Sequence, residues 1–262
     1  MRKLFCALMV VANAAVAGAQ SGAVADKKVL ADLTEMWNSQ QHLFQEDFSV
    51  KVSCDELSSL IASQAVKVVP LPVELDHVIL HFTNGVATVQ ADLSFLPSPF
   101  REKMEGKVNP RIDSMSSSRL LANLTPQSCL ATAIKVLKTS EALQVIKNTD
   151  AILDIQVNDL EETFRRGLKI RSIRCQFDRK RKVVTFMKFI FTEKKQLSMK
   201  FEQEVVTATR LKPGPASTNA ARETFQRLLP TKVVIDSDAL GTAYGVACPE
   251  TFTLKYADYV FE

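Results

Sequence analysis

The sequence predicts an α+β fold, with antiparallel strands and hairpins packed on one or two longer helices. Three observations predict it. Asn84-Gly85 sits between two alternating apolar runs, a strong short-range hairpin signal. Residues 26–47 and 125–147 carry apolar residues at helical spacing behind capping residues. A strand, short helix and hairpin then recur in the same order in two stretches, 47–96 and 151–192.

Asp26 caps the first expected helix, with Leu30, Leu33, Trp37 and Phe44 on one side. From Phe48 the pattern shortens to strands. A two-residue turn at Asn84-Gly85 pairs Phe82 with Ala87, Leu80 with Val89 and Val78 with Ala91, all on one face. His77, Ile79, His81, Thr83, Thr88, Gln90 and Asp92 take the opposite, wetter face. Residues 100–123 read as irregular. Thr125-Pro126 opens a helix, Thr as cap and Pro in the first turn, with a continuation through Ile146. A strand-rich block follows from Ile152 to Val206, then a Pro-Gly loop at 210–219 and a short helix at 220–229. Lys232–Ile235 and Thr251–Phe261 read as closing strands.

The amino terminus reads as an export signal over residues 1–19. Arg2 and Lys3 precede an apolar stretch from Leu4 to Ala17, too short to span a bilayer, and Ala17-Gly18-Ala19 offers a small-residue cut before Gln20. Ala23-Val24-Ala25 is a second exit. Residues 20–262 then form a single body, expected in the periplasm or secreted. Glycine is scarce, at 8 of 262, and no glycine-rich phosphate loop is present. The mature chain keeps Cys54, Cys129, Cys175 and Cys248, which allow three disulfide pairings or buried thiols. In the repeat, Cys175 takes the place of Leu80, so it is expected in the core.

The first repeat unit resembles the lipid-binding domains of the tubular lipid-binding superfamily. The residues that carry the likeness are Val52-Ser53-Cys54-Asp55-Glu56-Leu57-Ser58-Ser59-Leu60-Ile61, Val73-Glu74-Leu75-Asp76-His77-Val78 and Asn84-Gly85-Val86-Ala87-Thr88-Val89. The resemblance implies a curled sheet around a helix and an apolar groove for acyl chains. It brings no shared catalytic residues.

Charge is unevenly distributed. Residues 165–200 hold thirteen Lys or Arg against Asp178 and Glu193, a net of +11. After loss of Arg2 and Lys3 the chain has 31 Lys and Arg against 29 acids, so the remainder nets −9. Such asymmetry suits an anionic partner, and export points to lipid and not to nucleic acid. Arg171, Arg174, Arg179, Lys180, Arg181, Lys182 and Lys188 are the candidate headgroup contacts. A solvated face with acidic neighbours in space is the bland alternative.

The run Val183–Phe191 is apolar on both sides, which usually means burial between two layers. The sharper reading gives Phe186, Met187, Phe189, Ile190 and Phe191 to a ligand groove. His77, His81 and Asp92 share a sheet face and are weighed as a metal site, but surface residues are the commoner outcome, so no metal and no cofactor are assigned. No nucleophile elbow or zinc-protease helix is present. The leading class is thus an envelope protein that binds lipid or another amphiphile. An assembly module docking a protein partner at a sheet edge is the alternative, and an exported hydrolase the third.

Overall fold

The computed structural model describes residues 29, 31–32, 34–35, 38, 46–54, 78–94, 96–126, 143–160, 162–163, 168–211, 222–245 and 249–262. The export signal, the stripe Leu30–Leu33–Trp37–Phe44, His77, Phe95, Cys129, Cys248, most of the expected helix at 125–147 and most of the Pro-Gly loop lie outside them.

One sheet dominates. Its eleven strands are β1 (Phe48–Ser53), β2 (Val78–Thr83), β3 (Val86–Ala91), β4 (Leu143–Asn148), β5 (Ile152–Val157), β6 (Glu162–Thr163), β7 (Lys169–Asp178), β8 (Val183–Phe191), β9 (Gln196–Leu211), β10 (Arg222–Ser237) and β11 (Thr251–Phe261). Ten lie in the order β3-β2-β1-β11-β10-β9-β8-β7-β5-β4, and β6 pairs with the start of β7. Three described helices, α1 (Ser98–Asp113), α2 (Ser116–Asn123) and α3 (Leu240–Tyr244), cluster beside β3.

The expected α+β packing of strands on longer helices is therefore overturned. The described chain is mainly a single, largely antiparallel sheet, and α1, α2 and α3 stand at one end of it. The misreadings are local. Residues 100–123, expected irregular, are α1 and α2. Their signal is faint because α1 buries only Val108 and Ile112 and carries Pro110 inside it. Leu143–Asn148, expected helical, is β4. Residues 220–229 are rich in helix formers, yet from Arg222 they extend along β9, because cross-strand pairing outweighs weak local propensity.

The hairpin β2–β3 follows the sequence residue for residue. Val78 opposes Ala91, Leu80 opposes Val89 and Phe82 opposes Ala87. Asn84 and Gly85 both have positive φ, 51° and 74°, the twist a tight hairpin turn needs. Val78, Leu80, Phe82, Val89 and Ala91 are buried. The open edge of β3 is covered by α1. The Val89 N–H donates to Asp113 Oδ1 and the Ala91 N–H to Asn109 Oδ1, each at 3.1 Å. This blunts an edge that would otherwise template another strand.

Alternation keeps one face of the sheet dry, and bulges restore its phase. On β11, Asp258 (φ 52°) is an extra residue opposite β1, so Tyr256, Tyr259 and Phe261 all turn inward. On β8 the register shifts beside Thr185, so Val184, opposite Phe177, lies in the same apolar core as Met187. Cys175 is in the core as expected, opposite Met187, and burial pushes its thiol pKa up to about 12.

The long hairpin β9–β10 changes partners halfway. β11 first pairs with β10, from Lys232–Lys255 to Asp236–Thr251. Farther on, Val260 and Phe261 pair with Thr209 and Arg210 of β9, in parallel. Pro230 marks the handover: it has no N–H for a ladder, the register shifts beside it, and its carbonyl accepts the Tyr259 hydroxyl at 2.8 Å.

Among the described residues Asp154 is the one buried acid, 1% exposed. Arg174 grips it with two bonds, Nε to Oδ1 at 2.9 Å and Nη2 to Oδ2 at 2.7 Å, and Gln176 Nε2 adds a third at 3.1 Å. The Arg174 hydrogen bonds hold its carboxyl below the usual range, with Gln176 helping and burial opposing. A lowered pKa contributes stability above the unfolded value, roughly pH 4, and loses it as pH falls toward the folded value.

Two outcomes follow. Gly85→Val should destabilise by about 1–2 kcal/mol in urea unfolding, because a β-branched residue is strained at positive φ. An unaltered midpoint would contradict the turn. Asp154→Asn should cost about 2 kcal/mol at pH 7 and progressively less below pH 4. Urea curves at both pH values read this, and a gap that stayed constant in acid would exclude the ion pair as its source.

Candidate functional site

The five apolar candidates on β8 fall on two sides of the sheet. Met187, Phe189 and Phe191 point inward and are buried, at 0%, 2% and 1% exposure. Phe186 and Ile190 lie on the outer face and are half-buried. The inward trio joins Leu153, Ile155, Cys175, Phe177, Leu197 and Met199 in one apolar layer contributed by β5 and β7–β9.

The outer face of these strands is cationic. Arg174 stands opposite Lys188, and Phe186 opposite Lys200. Arg174 is committed to Asp154, while Lys188 is half-buried and Arg171 is exposed at a bulge on β7.

At the tip, Arg179 to Lys182 form the β7–β8 turn. Asp178 organises it: its Oδ1 accepts the N–H groups of Lys180 and Arg181 at 2.9 and 3.0 Å. Lys182 closes the turn at φ 57°. Like charges at a turn repel, and here partners offset most of that repulsion. Arg179 donates to Asp32 and to the Thr149 carbonyl, Arg181 to the Gln203 carbonyl, and Lys182 bridges to Glu35 at 2.5 Å. Lys180 is exposed, with no ion pair among the described residues. Asp32 and Glu35, both helical, thus lie against the turn. A recess of about 60 Å³ opens there, lined by Asp32, Glu35, Leu153, Phe177, Asp178, Arg179 and Lys182.

A second charged cluster escaped the sequence reading. Glu46 Oε2 accepts from Arg227 Nη1 at 2.6 Å and from Arg210 Nη2 at 3.4 Å. Both guanidinium groups lie 5.0 Å from the centre of the Phe225 ring, and Arg227 lies 4.8 Å from that of Phe261. Had residues 222–229 been read as a strand, Phe225 and Arg227 would have shared a face and marked it.

His81 is half-buried on β2, and burial lowers its pKa against the pull of Glu262 and Glu105. Asp92 pairs with Lys51 at 3.5 Å. Among the described residues no three His, Cys, Asp or Glu groups gather as a metal site. The Cys175 thiol, buried and protonated, is unsuited to nucleophilic work.

No protein-family model matches the chain, and no curated protein does. Among solved structures, one of a LolA superfamily protein from Nitrosomonas europaea is similar at 9% identity and a TM-score of 0.41, covering 87% of this chain and 92% of that one.

Proposed function

We propose that this is an exported protein of the cell envelope that binds a lipid or another amphiphile. The observation that carries the reading is the two-sided character of β7–β9. Their inner side is an apolar layer with two methionines, Met187 and Met199, whose unbranched side chains adapt to irregular partners. Their outer side and the β7–β8 turn carry Arg171, Lys180, Lys188 and Lys200. In this reading acyl chains meet the inner layer at Met187, Phe189 and Phe191, and an anionic headgroup meets the cations. Each cation near an anionic surface adds about 1 kcal/mol, screened by salt.

A second reading, an assembly module, has its own support. Among the described residues no strand pairs with the outer edge of β4, whereas the β3 edge is capped by α1. A partner strand would add there.

Solvent extraction of the purified protein followed by mass spectrometry should recover phospholipid in near-stoichiometric amount. Substituting Arg171, Lys180 and Lys188 together by Ser leaves the three partnered cations of the turn in place. It should keep the melting temperature within a few degrees and weaken co-sedimentation with phosphatidylglycerol vesicles several-fold, the loss shrinking at high salt. A lipid-free protein whose sedimentation is the same in both forms would move the weight to the β4 edge.

A further inference from the structure

We infer that the recess at the β7–β8 turn is a binding site for a phosphate-class oxyanion, and that the chain's own acidic N-terminal segment competes for it. The inference deepens the lipid reading and rests on the basic turn meeting anionic headgroups.

Three observations converge. The first is an unfilled donor. Arg179 spends Nη1 on the Thr149 carbonyl and Nη2 on one oxygen of Asp32, while its buried Nε has no hydrogen-bond partner. A guanidinium binds a carboxylate or phosphate best side-on, through Nε and Nη2 together. Asp32 uses half of that fork. The second is space: the recess of about 60 Å³, lined by Arg179 and Lys182 with the carboxylates of Asp32, Glu35 and Asp178, has room for a few water-sized oxygens once Asp32 and Glu35 withdraw. The third is charge. Asp32 and Glu35 are the carboxylates that now answer Arg179 and Lys182. If they withdraw, the turn keeps four cations and one acid of its own, Asp178, whose carboxylate is already bonded to the backbone of Lys180 and Arg181.

The Lys182–Glu35 pair is half exposed on both sides, at 50% and 56%, so it is weak and exchangeable. An oxyanion that fills the fork at Arg179 and also reaches Lys182 replaces two separate carboxylates with one group. The N-terminal segment therefore acts as an internal stand-in, which lowers affinity for stray anions and releases only to a ligand that engages both cations.

The test compares the full chain with Asp32→Asn/Glu35→Gln. Co-sedimentation uses phosphatidylglycerol–phosphatidylcholine vesicles, with pure phosphatidylcholine as control. Inorganic phosphate is titrated separately, followed by emission of Trp37, the single tryptophan, two residues beyond Glu35. The double variant should bind anionic vesicles about tenfold more tightly at low salt, since the two carboxylates no longer compete. Adding Arg179→Lys, which keeps the charge but removes the fork, should abolish most of that gain. Equal or weaker binding by the double variant, when wild type binds, overturns the competition and leaves the lipid reading standing. Tighter phosphate binding by the variant with no vesicle binding by either protein supports the site for a free oxyanion and sinks the lipid reading. No binding of either probe by either protein sinks both. Should the double variant fail to fold, Glu35→Gln alone, at the exposed pair, should gain about threefold, and no gain overturns the inference.

Discussion

Everything in this molecule depends on one sheet keeping one face dry. Side chains alternate along a strand, so a slip of one residue would turn an entire strand's apolar set outward. Ten strands in one continuous path must all hold phase together. The bulges keep them there: Asp258 on β11, Thr185 on β8 and the shift at Pro230 on β10 each absorb a residue where simple alternation would expose the core. On the other face Asp154, buried and opposite Gln176, is tied down by three hydrogen bonds to its carboxylate.

The same arrangement separates chemistries. On β7–β9 a side chain is either in the apolar layer or on the cationic surface, with one strand thickness between them. Lys188 lies between Met187 and Phe189 in sequence and on the other side of the sheet from both. The double apolar character of β8 thus has two causes. Its inner residues fill the core, and its outer ones, Phe186 and Ile190, lie among polar neighbours such as Gln176 and Ser198 on the adjoining strands.

Legibility followed the range of the interactions. The β2–β3 hairpin was readable because its register is set by a two-residue turn and six near neighbours. The strands at 232–235 and 251–261 and the core place of Cys175 were readable for the same local reasons. The β10 strand was not, since residues 222–229 favour helix locally and become strand only against β9. Helix α1 hid because its work is polar: Asn109 and Asp113 cap a sheet edge, leaving little apolar stripe to see. At the basic stretch, charge was legible and pairing was not. Arg179 meets Asp32 and Arg227 meets Glu46 across 147 and 181 residues of chain, separations at which sequence spacing carries no signal.

The first and last described strands meet within the sheet. β1 and β11 are neighbours, with Phe48 opposite Phe261 and their rings 5.2 Å apart. Among the described residues the two halves of the sheet, β3-β2-β1 and the run from β10 to β4, are joined only through β11. A nascent chain can form its hairpins as they are made, but it cannot unite them until β11 has been made. The seam closes over a loop of roughly 200 residues, which makes it a slow, late event. Until then both halves expose strand edges that invite wrong partners. Folding of this sheet therefore turns on β11, eleven residues that decide whether two ribbons become one sheet.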